Sequence, residues 1–360
     1  MRSLWPQLAT WLDSGEPFAL ATVTRVSGSA PRAPGACMAI QPATQRFLGS
    51  VSSGCLEMEV FAAAEKTLAS GVPEFLRFGP DGIAPWSDGL TCGGWIEVRI
   101  EPWWGFSPRS EIRAVATPVR EWLERGSEGV TLSRDDRHLA ISVGGEEAGD
   151  AQAFETAWRK RALAHLVHGL PPVAVEEEGG ASVFMRTVRR RPRLVLVGAV
   201  DIATHLVALA RETGWETTVI DPRAAYATAE RFPTAPDRLV RSWPQKVIAD
   251  IGLGPRDAAI ALTHDSKIDD AALLALLKTR AGHLGALGSA RSHADRRERL
   301  LAAGAAQEAI ERIQGPAGIH LGTPDAAGIA AGILAGLLQW QAAAERERLE
   351  QASVPSVATA

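Results

Sequence analysis

The chain has 360 residues, 46% of them apolar and 22% charged, with a formal net charge of −4. That size and balance predict two globular domains, and the charge gives no reason to expect nucleic acid or an anionic membrane as partner. No uninterrupted apolar run approaches the ~18 residues of a membrane span, and MRSLWPQLATWLDSG, with Asp13 and no small-residue cleavage site, does not read as a secretory signal.

Taken in chain order, a helix is predicted over 3–14, stopped at Gly15, and FALATVTRV follows as a strand. GSAPRAPGACMAI is a Gly/Pro-rich loop leading into a second strand. RFLGSVSSGCLEMEVFAAAEKTLASG reads as strand, tight loop and helix. In that helix Leu56, Val60, Ala64 and Leu68 form one buried stripe, and Gly71 is the stop. GGWIEVRIEP alternates Ile96, Val98 and Ile100 as a strand does. Residues 110–180 mix two helical patterns with short strands, and no topology is assigned to them.

The composition shifts near residue 190, after eight of the eleven tryptophans and all three cysteines. RTVRRRPRL, with five arginines, marks the boundary and reads as a solvated linker. Beyond it strands are predicted at 193–198, 216–220, 237–240, 257–263 and 282–287. Helices lie near 201–213, 244–251, 268–279, 289–303, 305–313 and 325–346. The alternation implies a parallel sheet covered by helices. The fold class is therefore α/β: a C-terminal Rossmann-like parallel-sheet domain (193–346) preceded by a mixed α+β N-terminal domain (1–185). Residues 186–192 are the Arg-rich linker and 347–360 a disordered tail.

In such sheets ligands sit beyond the carboxyl ends of the strands. The first of these ends carries Gly198-Ala199-Val200-Asp201. A dinucleotide fingerprint requires a second glycine where Val200 stands, and Asp201 would cap the helix end that attracts an anion. Asp221 falls 23 residues past Gly198, the spacing of a ribose-binding carboxylate. Thr263, His264 and Asp265 close a later strand. Gly288, Ser289 and Arg291 supply an open helix N-terminus with added positive charge, the better anion site of the two.

In the first domain Cys55 follows Ser52 and Gly54 in a tight loop opening a helix. A thiol in a first turn has its thiolate favoured by the helix dipole, with Glu57 and Glu59 opposing. It is a candidate soft metal ligand or sulfur acceptor, or simply a small buried residue beside a turn. Cys92, in TCGGW, is a second candidate. Arg25 and Arg32, around GSAPRAPG, are candidates for an anion cradle. With Cys37, the cysteines are too few for a disulfide framework, which predicts reduced thiols in the cytoplasm. They lack the spacing of structural zinc.

TVTRVSGSAPRAPGACM, GSVSSGCLEMEV and CGGWIEV resemble the N-terminal motifs of the XdhC/CoxI family, accessory proteins for molybdenum hydroxylases. DPRAAYATAERFP, ALTHDSKIDDAALLALL and LGALGSARSHADRRERLLAAG resemble that family's Rossmann-like domain. The resemblance implies a chaperone that binds molybdenum cofactor, as molybdopterin or its dinucleotide form. Such a chaperone protects the cofactor during sulfuration and passes it to an apo molybdenum hydroxylase. The implied partners are that hydroxylase, a cysteine desulfurase and a cofactor nucleotidyltransferase, with homodimerisation a further expectation. It also implies Cys55 and Cys92 at the cofactor, Cys55 as a molybdenum ligand, and Asp221, His264, Asp265, Gly288, Ser289 and Arg291 at the second domain's cleft. The chain departs from the family's G-A-G-H-x-A at Val200 and Asp201, from a Gly-rich triplet at Ser52-Ser53-Gly54, and at His320, where the family pattern has Asp. Two other readings compete: a recruitment scaffold without cofactor, and an NAD(P)-dependent oxidoreductase, the latter opposed by Val200.

Overall fold

The computed structural model describes residues 1–79, 94–170, 173–178 and 181–353. The chain divides into two compact units, Met1–Arg190 with Arg348–Ala360, and Arg191–Glu347.

The first unit opens with α1 (Trp5–Ser14), which ends at Gly15 in the left-handed conformation. Strands β1 (Ala19–Ser27), β2 (Cys37–Gln41) and β3 (Arg46–Gly49) precede α2 (Glu57–Ser70), β4 (Glu74–Phe78) and β5 (Trp95–Pro102). These strands make an antiparallel sheet in the order β3-β2-β1-β5-β4. Val60, Ala63 and Ala64 of α2 pack on Val23, Met38, Ile96, Val98 and Ile100, so the stripe read from the sequence covers one sheet face.

The region to which the sequence assigns no topology forms a second sheet. It contains α3 (Ser110–Arg125), β6 (Gly129–Arg134), β7 (Arg137–Ser142), β8 (Glu147–Gly149), α4 (Thr156–Val167), β9 (Val173–Glu178) and β10 (Ala181–Val188). Its order is β8-β7-β6-β10-β9, again antiparallel. A tryptophan-rich core of Trp5, Trp11, Trp103, Trp104 and Trp122 gathers around Phe18, Val115 and Val188. Strand β10 runs to Val188, so Arg186 is not in a solvated linker: it is 2% exposed. Its charge is matched inside the unit by Glu101.

The second unit holds β11 (Arg193–Val197), α5 (Asp201–Glu212), β12 (Glu216–Ile220), β13 (Arg238–Val240), α6 (Pro244–Ile251), β14 (Ala258–Ala261), α7 (Ser266–Leu276), β15 (His283–Ala286), α8 (Ala290–Ala302), α9 (Gln307–Ile310), β16 (Ile313–Gln314) and α10 (Ala326–Ser353). The six strands are parallel in the order β13-β12-β11-β14-β15-β16. This is the order of the dinucleotide-binding fold, with the reversal between β11 and β14. Strand β16 begins where the sequence predicts the end of a helix; two residues before a glycine give no periodicity to detect. The aliphatic strands are buried on both faces, Val195 and Val197 in one cluster and Leu194 and Leu196 in another.

The last helix corrects the expected disorder of the tail. It continues to Ser353, past the point where the sequence predicts fraying. Its stretch Ala326–Glu350 contains an 18-residue window of mean hydropathy 1.3, by length and composition enough to cross a membrane. Yet Ala330, Ile333, Leu334 and Leu337 pack into the core of the second unit, as a buried helix of a globular domain does.

Candidate functional site

In the first unit, the segment between β3 and α2 is organised by one carboxylate. Glu57, 8% exposed, accepts hydrogen bonds from Ser50 Oγ (2.6 Å), Ser52 N (3.1 Å), Ser52 Oγ (2.5 Å), Gly54 N (2.9 Å) and Leu56 N (3.1 Å). Burial alone would raise its pKa. The hydroxyl and amide donors outweigh that and hold it at about 2. Ser53 N donates to Ser50 Oγ, and Leu56 N also reaches Ser52 Oγ.

The result is a closed loop with Ser53 at φ 69° and Gly54 at φ 120°. The Gly54 torsion is one that a Cβ resists. Cys55 stands at its tip, exposed and free of any disulfide. The helix begins at Glu57 with Leu56 as N-cap, so Cys55 lies before the first turn rather than in it. Glu57 is thus the loop's acceptor and not a charge aimed against the thiol.

Ser52, Gly54 and Cys55 are brought together as the sequence suggests. Cys92 lies outside the described residues. Arg25 on β1 donates to the Val175 carbonyl (3.4 Å), and Arg32 is exposed in the loop before β2. Cys37 is buried, its Sγ donating to the Gly35 carbonyl at 3.2 Å.

In the second unit, the carboxyl ends of β11, β12, β14 and β15 converge as the strand order requires. Gly198 has φ 111°, and a Cβ there would meet Thr263 Cγ2 at 2.6 Å, so the β11 and β14 ends are in contact. The helix α5 starts at Asp201 with Val200 as N-cap and no side-chain cap hydrogen bond. Asp201 places its charge in the first turn without capping. Asp221 is fully buried. Its oxygens accept from Ala199 N (2.8 Å), Arg223 N (2.9 Å), Arg223 Nε (2.9 Å) and Arg223 Nη2 (2.7 Å). Burial pushes its pKa up, but the Arg223 and Ala199 donors prevail and hold it below the usual range.

After β14, Thr263 and Asp265 do local work. Asp265 N-caps α7 through Lys267 N, and Thr263 Oγ1 donates to Asp269 Oδ1 at 2.6 Å. His264 is exposed at φ 58°, its amide donating to Asp269 Oδ2 (3.1 Å). Asp269 escapes a sequence reading, because it sits inside a helical pattern. Burial raises its pKa despite the donors from Thr263 and His264.

Ser289 N-caps α8 as its residue type predicts, accepting from Ser292 N at 3.1 Å. Two cavities share His264. One, about 460 Å³, is lined by Ile202, His264, Gly288, Ser289, His320 and neighbours. The other, about 300 Å³, is polar and lined by His264, Ser266, Asp269, Ser292, Asp295, Arg296 and Arg299. Arg291 is exposed and lines neither. Arg296, 4% exposed with Nη2 on the Leu287 carbonyl (2.8 Å), faces the second. It too escapes the sequence, since ADRRER reads as a solvated run.

Residues 194–337 match the XdhC Rossmann domain, and residues 11–79 match the XdhC and CoxI family. A probable xanthine dehydrogenase subunit from Bacillus subtilis strain 168 is 28% identical over 346 residues, 94% of this chain and 98% of that protein. The molybdenum cofactor insertion chaperone PaoD of Escherichia coli K12 is 26% identical over 325 residues, 90% of this chain and 83% of that one. A xanthine dehydrogenase structure from Bacillus halodurans has the same fold, with a TM-score of 0.74 at 24% identity over 98% of both chains.

Proposed function

The chain belongs to the XdhC and CoxI family, and on that premise we propose that it serves molybdenum-cofactor maturation. It binds the cofactor as cargo, holds it while a desulfurase supplies the terminal sulfido ligand, and delivers it in the cytoplasm to an apo-hydroxylase of the xanthine dehydrogenase type. The similarity to a cofactor insertion chaperone across 90% of the chain supports this reading.

The observation that carries it is the Cys55 loop. A free, exposed thiol is presented on backbone whose nearby donors are satisfied internally by Glu57. The residues fit a soft metal centre: a thiolate is a soft ligand, and the rigid turn fixes where it points. The bound cargo would supply the molybdenum centre that the hydroxylase needs. This chain's part is to hold Cys55 in place and to keep the loop from rearranging. In the second unit, the 460 Å³ cavity, with the α8 N-terminus at Ser289, suits an organic, anionic ligand.

A nicotinamide oxidoreductase is less favoured. The strand order suits a dinucleotide, but Asp221 spends both oxygens on Ala199 and Arg223 and leaves none for a ribose diol.

The test is cofactor retention. The purified chain is mixed anaerobically with released molybdenum cofactor, desalted, and assayed for molybdenum and oxidised pterin. The expected result is co-elution near one per chain, with Cys55→Ala retaining about tenfold less molybdenum, a loss of the size typical when a metal site is disturbed. Equal retention in wild type and Cys55→Ala removes the thiol from the site. No retention by folded protein favours the recruitment scaffold.

A further inference from the structure

The stretch DPRAAYATAERFP, just beyond β12, takes no part in the Cys55 loop or in the cavities beside α8. Its side chains build a compact cationic edge. The Arg223 guanidinium lies 3.8 Å from the centroid of the Tyr226 ring, and that of Arg231 lies 5.1 Å from the same centroid. Tyr226 is 36% exposed. Arg223 is balanced by Asp221 (2.7 Å), whereas the Arg231 guanidinium has no ion pair or hydrogen bond among the described residues. Two guanidinium groups share one ring, and of the two only Arg223 is paired with a carboxylate, Asp221, with the charge of Asp265 also acting on it. Like charges held close are costly without a counter-ion.

The place in the fold matters as much as the charge. The edge stands at the carboxyl end of the strand next to β11, where a nucleotide-binding sheet meets a ribose. A carboxylate there takes a free diol, and an arginine there takes a phosphate on that sugar. Asp221 is fully buried and engaged by four donors, so it cannot take the diol. The usual phosphate grip is also obstructed. Gly198 N and Ala199 N are used by Ile220 O and Asp221, Val200 occupies the N-cap, and Asp201 brings negative charge to the first turn of α5.

We propose that Arg223, Tyr226 and Arg231 form a binding site for an organic phosphate monoester, the phosphorylated end of a nucleotide or pterin. Arg231 and the outward side of Arg223 bind the phosphate, and the Tyr226 ring packs against the organic part. This deepens the cargo reading and rests on it only in naming the natural ligand, whose phosphate end would sit here rather than at the α5 N-terminus.

The test uses the full chain and probes that contain neither molybdenum nor pterin. Binding of adenosine 2′,5′-bisphosphate and of adenosine 5′-monophosphate is measured by calorimetry, with inorganic phosphate as competitor. The bisphosphate is expected to bind about tenfold more tightly, as one added charge-assisted contact allows. Arg231→Gln, an exposed change outside the Asp221 network, is expected to abolish that advantage with an unaltered melting curve. Tyr226→Leu is expected to weaken both nucleotides. Displacement of the bisphosphate by millimolar inorganic phosphate supports phosphate as the recognised group.

Equal affinity for the two nucleotides, no binding of either, an advantage that survives Arg231→Gln, or indifference to inorganic phosphate each overturns the proposal. A chain that passes these tests yet retains no molybdenum cofactor sinks the cargo reading and leaves the phosphate site standing. The converse result does the reverse.

Discussion

Glu57→Ala is expected to lower the stability of the first unit by about 3 kcal/mol or more and to reduce molybdenum retention to the level of Cys55→Ala. The carboxylate receives five hydrogen bonds from Ser50, Ser52, Gly54 and Leu56. Ser52 is buried, so its amide and hydroxyl cannot turn to water when the acceptor is removed, while Leu56 N keeps Ser52 Oγ. Each buried donor left unpaired costs about 1–3 kcal/mol. Gly54, at φ 120°, loses the acceptor of its own amide; Ser50, whose hydroxyl holds Ser53, loses its anchor; and the relaxed loop carries Cys55 with it. For a unit of this length the loss corresponds to a fall of roughly 6–12 °C in Tm.

The pH dependence follows from the same contacts. The folded-state pKa, about 2, lies below the ordinary 4.5. The stabilisation is therefore fully present above about pH 4.5 and is lost as pH falls toward 2, so wild type and Glu57→Ala should converge in acid and differ at neutrality. Glu57→Gln, which keeps the shape but turns one acceptor into a donor facing donors, should fall between. A thermal melt together with the rate of Cys55 alkylation checks this. A Glu57→Ala chain that melts with wild type and alkylates at the same rate ends the idea that this carboxylate fixes the thiol.

How much of this is legible in the sequence depends on the range of the interaction. Strands β11, β12 and β14 and helices α5 to α8 announce themselves because aliphatic runs and helical periods are local signals. The parallel character of the sheet then follows from alternation. Strand β16, two residues long, has no period to show. The second antiparallel sheet is hidden because its pairing, β6 with β10, joins segments more than 50 residues apart.

At the sites, Ser289 as N-cap and the turn at Cys55 are readable from residue type. The role of Glu57 is not, since its acidic side chain at a helix start reads as dipole complement until the loop folds back on it. Asp221 stands out by spacing, but spacing says nothing of Arg223 saturating it. Asp269 and Arg296 look like solvated helix residues and become buried only through contacts between elements. Arg186 departs furthest from its sequence reading: five arginines in a row of nine suggest a wet linker, and one of them is in the core.

That arginine leads to the second large effect, Glu101→Ala. Glu101 on β5 is 1% exposed and lies between two guanidinium groups, Arg99 at 3.2 Å on the same strand and Arg186 at 2.9 Å on β10. Arg186 Nη2 also donates to Thr22 Oγ1 on β1 (2.8 Å), so the network ties one sheet of the first unit to the other. Aromatic rings flank it: both guanidiniums lie near Phe184, at 5.2 and 5.1 Å, and Arg186 is 5.5 Å from Trp104. Burial pushes the Glu101 carboxyl up, but Arg99 and then Arg186 hold it below the usual range. Removing it leaves two buried cations without the carboxylate between them.

Breaking a buried pair from one side costs about 3–5 kcal/mol, a fall of roughly 10 °C or more in a unit of this size. Tryptophan fluorescence, reporting on Trp103 and Trp104 beside the network, follows the unfolding. The informative control is the joint replacement Arg99→Met, Glu101→Leu and Arg186→Met. Exchanging a whole buried ionic cluster for apolar residues of similar volume is often neutral or stabilising, so this chain should melt near or above wild type. A Glu101→Ala chain as stable as wild type would mean the cluster is not ionised as its geometry requires. If Glu101→Ala is unstable and the triple variant is not, the ions hold the two sheets in one arrangement without strengthening the core. Strand β3, paired to β2 in the first sheet and leading directly into the Cys55 loop, then takes its position from that arrangement.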